Sequence, residues 1–151
     1  GNAASCVANG ICRMSTLVKD ELTALEDLLA SCYGAIYAYG VVAAYLSDPE
    51  EALNAMAAFR IHRDQLLTSF DELGYPAPAA SAAYSITPQV LDDPSARVAA
   101  ALLEENAIAH WANALFYLPA QLKQRECEFL QGCAIRSFSW SGIAKAFSSA
   151  T

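Results

Sequence analysis

The chain has 151 residues, 55% hydrophobic and 17% charged, with a formal net charge of −7. That length suits one domain around one core, and that composition argues against disorder. The acidity speaks against nucleic acid, whose phosphates need a basic face, and against an anionic membrane surface.

Residues 1–18 show no periodicity and read as a flexible leader, followed by a helical domain over 19–148. Cys6 and Cys12 lie in the leader and would form a disulfide only in an exported protein. Cys32, Cys127 and Cys133 fall within helical patterns, with no CxxC pair and no zinc spacing, and read as free thiols behaving as small apolar residues.

The first helix starts near Asp20, and its apolar row is Leu22, Leu25, Leu29, Cys32, Ile36 and Tyr39. It contains "LLASCYGAIYAYGVVAAYL", residues 28–46, nineteen residues without a charge. That length could span a bilayer. A single span, however, would strand the apolar stripes of the other helices, so the stretch is expected in a soluble core. "SDPEE" at 47–51 ends this helix and opens a second, which runs to Leu73 and stops at Gly74. Residues 74–95 hold four prolines and no stripe, a long connection for a compact domain. A third helix opens at Asp93-Pro94 or Ser95 and runs to Leu118. Pro119 breaks it, and a fourth covers about Ala120 to Phe147. Each helix of roughly 25 residues would be about 37 Å long. Turn, long link, turn is the order of an all-α, ferritin-like four-helix bundle: two helical hairpins joined by a long crossover.

Ferritin-like bundles that hold two metal ions place a carboxylate on every helix and Glu-x-x-His on two of them, so that both ligands share one face. No Glu-x-x-His occurs here. The expected rows still carry charge: Leu53, Met56, Arg60, Arg63, Leu67, Phe70 in helix 2; Val98, Leu102, Glu105, Ala109, Ala112, Phe116 in helix 3; Leu122, Glu126, Phe129, Cys133, Arg136, Trp140 in helix 4. Glu26 flanks the stripe of helix 1. The reading is therefore a buried polar network of Glu26, Arg60, Arg63, Glu105, Glu126 and Arg136, with guanidinium groups where a relative would hold metal. Arg63 would pair with Glu105, and Arg136 or Arg60 with Glu26 or Glu126. The bland counterpart has these side chains reaching to water from the stripe's edge. His62 and His110 read as surface or hydrogen-bonded histidines, and Tyr33 and Tyr37 as core volume. The functional counterpart is a small-ligand pocket of Tyr33, Tyr37 and His62.

"AIYAYGVVAAYL" (35–46), "HRDQLL" (62–67), "PAPAASAAYSI" (76–86) and "LEENAIAHW" (103–111) are similar to an uncharacterised ferritin-like domain family found mainly in actinobacteria. The resemblance covers about residues 20–142. It implies a ferritin-like fold and a homodimer, and no activity, since the family has none assigned. Relatives commonly carry Glu-His where Cys32 and Tyr33 stand, and histidine where Phe59 stands. These departures make metal binding less expected in this chain.

The expected function is a non-catalytic binding or structural module in the cytoplasm, without metal or cofactor and without nucleic acid or a membrane span. Export stays open, because the sequence begins at Gly1. The rival is a metal-dependent oxidoreductase or iron-handling protein with an irregular site from Glu26, His62, Glu105 and Glu126. Thiol redox chemistry at Cys32, Cys127 or Cys133 is a third reading.

Overall fold

The computed structural model describes the backbone of residues 17–149 and the side chains of residues 17–142. The leader up to residue 16, with Cys6 and Cys12, lies outside the described residues. Four helices follow: α1 (Lys19–Tyr45), α2 (Glu50–Leu73), α3 (Asp93–Leu115) and α4 (Ala120–Ser149).

Local chemistry sets the boundaries. Glu21 Oε1 accepts from the Val18 N–H at 3.0 Å, holding the start of α1. Pro49 stands at the N-cap of α2, and the two acids Glu50 and Glu51 of its first turn suit the helix dipole. Gly74 ends α2 at φ 80°, a left-handed conformation in which a side chain would be strained. Asp92 caps α3 by accepting from the Ser95 N–H at 2.9 Å. α3 stops at Leu115, earlier than the expected Leu118, because Phe116 and Tyr117 turn the chain ahead of Pro119.

Cross-helix contacts give the directions. Ser47, just after α1, donates to Asp93 at the head of α3, while Asp27 meets His110 lower down, so α1 and α3 are antiparallel. Glu51 meets Ser139 and Ser69 meets Arg125, so α2 and α4 are antiparallel as well. The bundle therefore runs α1–α2–α4–α3 around its circumference, as two antiparallel hairpins. The connection 74–92 climbs from one end to the other. Its nineteen residues, fully extended, reach about 60 Å, ample for a helix of about 36 Å.

α1 is the described helix long and apolar enough to cross a membrane by length and composition. In the bundle its Leu25, Leu28, Leu29, Cys32, Tyr39 and Val42 are fully buried. They pack with Phe59, Leu66 and Phe70 of α2, Trp111 of α3 and Trp140 of α4 in one continuous core.

Candidate functional site

Two glutamates, Glu104 on α3 and Glu126 on α4, are completely buried in the middle of this core. A buried carboxylate is sustained only by hydrogen bonds and an opposite charge. Each has both.

Glu104 Oε1 accepts from Arg136 Nε at 2.7 Å and from the Tyr39 hydroxyl at 2.5 Å. Trp140 Nε1 donates to the Tyr39 oxygen at 3.1 Å, so the cluster links α1, α3 and α4. Arg136 also donates from Nη2 to Cys133 Sγ at 3.4 Å. Its guanidinium carbon lies 5.2 Å from the centre of the Phe59 ring and 5.7 Å from that of Phe129. Burial works against the charged guanidinium, but the bond to Glu104 and its charge win and hold Arg136 above its usual range. Burial and the neighbouring Glu104 push the Tyr39 hydroxyl well up, so it stays a donor. Glu104 Oε2 has no hydrogen-bond partner.

Glu126 belongs to a second cluster. His62 Nε2 lies 2.5 Å from its Oε1, Trp111 Nε1 donates to the same oxygen at 3.2 Å, and Arg125 Nε donates to Oε2 at 2.7 Å. Burial alone would raise the Glu126 carboxyl, but His62 and Arg125 together hold it below the usual carboxylate value. The His62 ring stacks on Phe129 at 3.9 Å between centroids, and its Nδ1 reaches Gln65 at 3.0 Å. Arg125 also donates to Ser69 at 3.0 Å. Phe59 and Phe129 pack edge to face at 5.2 Å and form the apolar layer between the two clusters.

Of the residues expected in a buried network, Glu126 and Arg136 lie in these clusters. The others require correction. Glu105 is exposed, and its neighbour Glu104 takes the inward position. Arg60 is exposed, and Arg63 pairs with adjacent Asp64 at 2.9 Å, not with Glu105. Glu26 is half-buried and has no charged partner among the described residues. Each helical residue turns the helix by about 100°, so an expected row one residue out of place puts the wrong side chain inside.

The three residues of the expected pocket do not converge. Tyr37 is exposed and packs at a tilt against Tyr84 of the crossover, 5.4 Å between ring centroids, whereas His62 faces α4 and Tyr33 is half-buried on α1. Glu104, Trp111 and Arg125 escaped the sequence reading, while Tyr39 and Trp140 stood in its inward rows but not in its polar network. The row Ala96, Ala100, Glu104, Ala107, Trp111, Ala114, drawn through the tryptophan, would have found the inward face of α3.

Cys32 and Cys133 are buried and Cys127 is exposed. Desolvation, with the charges of Glu126 and Cys133 behind it, pushes the Cys32 thiol well up, and desolvation together with Glu104 raises Cys133 to about 12. Both are therefore inert thiols at neutral pH. Among the described residues no three of His, Cys, Asp and Glu are grouped so as to hold a metal ion.

The fold is close to the crystal structure of a conserved hypothetical protein, rv2844, from Mycobacterium tuberculosis, with a TM-score of 0.80 and 25% identity over 84% of this chain and 92% of that one. No curated protein matches the chain. The family model for a domain of unknown function, DUF4439, matches residues 24–149, and the chain belongs to that family.

Proposed function

We propose that this chain is a ferritin-like bundle whose centre is held together by its own cations, and that it serves as a non-catalytic binding or structural module. One observation carries the reading: both buried carboxylates already have a cationic partner from the chain, Arg136 on Glu104 and Arg125 on Glu126, which His62 also meets at hydrogen-bond distance. A metal pair in such a frame needs carboxylates on all four helices and Glu-x-x-His twice. Here residue 129, three after Glu126, is Phe, and residue 59, three before His62, is Phe as well. The residues do not fit a dimetal centre. The irregular site of Glu26, His62, Glu105 and Glu126 is not assembled either, since only His62 and Glu126 meet.

The same reading keeps α1 in the bundle, supported by the burial of its large side chains. It also includes a homodimer, for which exposed Tyr37 and Tyr45 on α1 and Ile135 and Phe138 on α4 offer apolar surface. Thermal unfolding with and without ferrous, manganous or zinc ions tests the proposal. The melting temperature should not move. A ligand at a hundred times its Kd adds about 2.7 kcal/mol, so a rise of roughly 5–10 °C would overturn the reading.

A further inference from the structure

We infer that two copies of the chain meet on the outer face of the α1–α2 hairpin. The inference deepens the homodimer of the reading above and rests on it. Residues 28–46 of the chain carry no charge, yet only 39% of the most apolar stretch of α1 is buried within the bundle. A helix apolar on every side is ordinarily covered on every side. The bundle covers α1 toward α2 and α3 and leaves the rest uncovered.

Helical geometry locates the uncovered face. Ser31 and Ala38 line the gap between α1 and α3. Tyr33 and Gly40 come two residues later, about 200° round the helix, and so lie toward α2. With exposed Tyr37 and Ala44 they form one outward strip at three- and four-residue steps. On α2, Glu51 and Ser69 face α4. Leu53 is likewise about 200° from Glu51, and exposed Leu53, Ala57 and Arg60 run beside the strip of α1.

Charge selects a second copy for this face. The chain carries a net charge of −7, so two copies repel wherever carboxylates meet. No carboxylate stands on α1 between Asp27 and Asp48, or on α2 between Glu51 and Asp64. The face therefore offers an acidic partner apolar surface and the positive charge of Arg60. Arg63, Arg97, Arg125 and Arg136 each have a carboxylate within the chain, whereas Arg60 has none among the described residues. Tyrosine and arginine on an otherwise uncharged patch are the composition of interface centres. Ile135 and Phe138 are more exposed, but Glu128 lies seven residues before Ile135, on the same side of α4. A two-fold contact there would bring like charges together. The area also suffices. Two helices about 10 Å apart, over some 27 Å of length, present about 540 Å² per copy, or about 1,100 Å² in a pair. Specific interfaces begin near 1,000 Å².

Sedimentation velocity of the full chain tests the inference. At about 100 μM the mass should approach twice the 16.1 kDa of one chain. Tyr37→Glu and Leu53→Glu, both at exposed positions, should each weaken the dimer at least tenfold by placing carboxylates across the contact. Ile135→Glu should leave it unchanged. Leu53→Glu serves as the second variant because Tyr37 also packs against Tyr84. Circular dichroism checks that all three remain folded. A dimer undiminished in folded Tyr37→Glu and Leu53→Glu overturns the inference and leaves the homodimer standing. A chain that stays monomeric at that concentration overturns both. Neither result bears on the metal-free centre, which thermal shifts with metal ions decide separately.

Discussion

Arg136 reaches from α4 to Glu104 on α3 and donates Nε–H to Oε1 at 2.7 Å, with the carboxylate wholly buried and the guanidinium largely so. The pair joins two helices at the level where Tyr39 and Trp140 complete the hydrogen bonds. Its main energetic feature is asymmetry. Removing both partners takes away two desolvated charges together, whereas removing one strands the other. Arg136→Met is therefore expected to lower the unfolding free energy by about 3–5 kcal/mol, and adding Glu104→Leu should restore most of it. Urea unfolding of both variants is the check. Strict additivity of the two losses would show that the pair is not coupled.

Arg60 and Glu105 provide the contrasting case. Both are exposed, one residue away from the buried Phe59 and Glu104 respectively. Arg60→Ala and Glu105→Ala should each change stability by no more than about 0.5 kcal/mol in the same urea assay. A loss of several kcal/mol at Glu105 would mean that the inward face of α3 has been assigned wrongly.

That contrast shows where the sequence was legible. The two hairpins and the crossover follow from strong punctuation: Pro49, Gly74, the prolines of 76–94 and Pro119. On α1 and α4 large apolar residues mark one stripe, and the rows containing Leu25, Leu29, Cys32 and Tyr39, or Glu126, Cys133 and Trp140, lie inside. α3 misleads because it is apolar nearly all round. Its inward positions are mostly alanines, which carry little signal, while Val98 is 50% exposed and Phe116 81% exposed. On α2 the exposed Leu53 drew the row one step away from Ala52, Phe59 and His62. The pairing of His62 with Glu126, sixty-four residues apart, depends on the packing of α2 against α4, which periodicity along one helix does not encode.

The thiols should divide by burial. Cys127 is expected to react readily with iodoacetamide at pH 7.5, while Cys32 and Cys133 stay unmodified until the protein is unfolded. Peptide mass mapping before and after denaturation reads this directly. Rapid alkylation of Cys133 in the folded protein would contradict a thiol raised to about 12.

Acid should weaken the bundle in a defined window. Glu126 in the folded chain sits below the ordinary value of 4.5, held there by His62 and Arg125 against its burial. A depressed carboxyl stabilises the folded state fully above its unfolded value and loses that contribution as pH falls through the folded value. Asp92 and Asp93 are lowered too, by hydrogen bonds from Ser95 and Ser47, and act in the same sense. Urea midpoints should be flat in this term above about pH 5 and fall progressively below 4.5. In Glu126→Gln the fall should be shallower. An unchanged acid limb in that variant would remove Glu126 as its source.

The central claim is that Arg136, Arg125 and His62 hold the carboxylates that a metal pair would otherwise use. Elemental analysis tests it most directly: iron, manganese and zinc counted per chain in protein purified without a metal-affinity step, before and after incubation with ferrous iron. The account predicts well under one metal ion per chain in both samples. One or two ions per chain, lost in His62→Ala or Glu126→Gln, would contradict it.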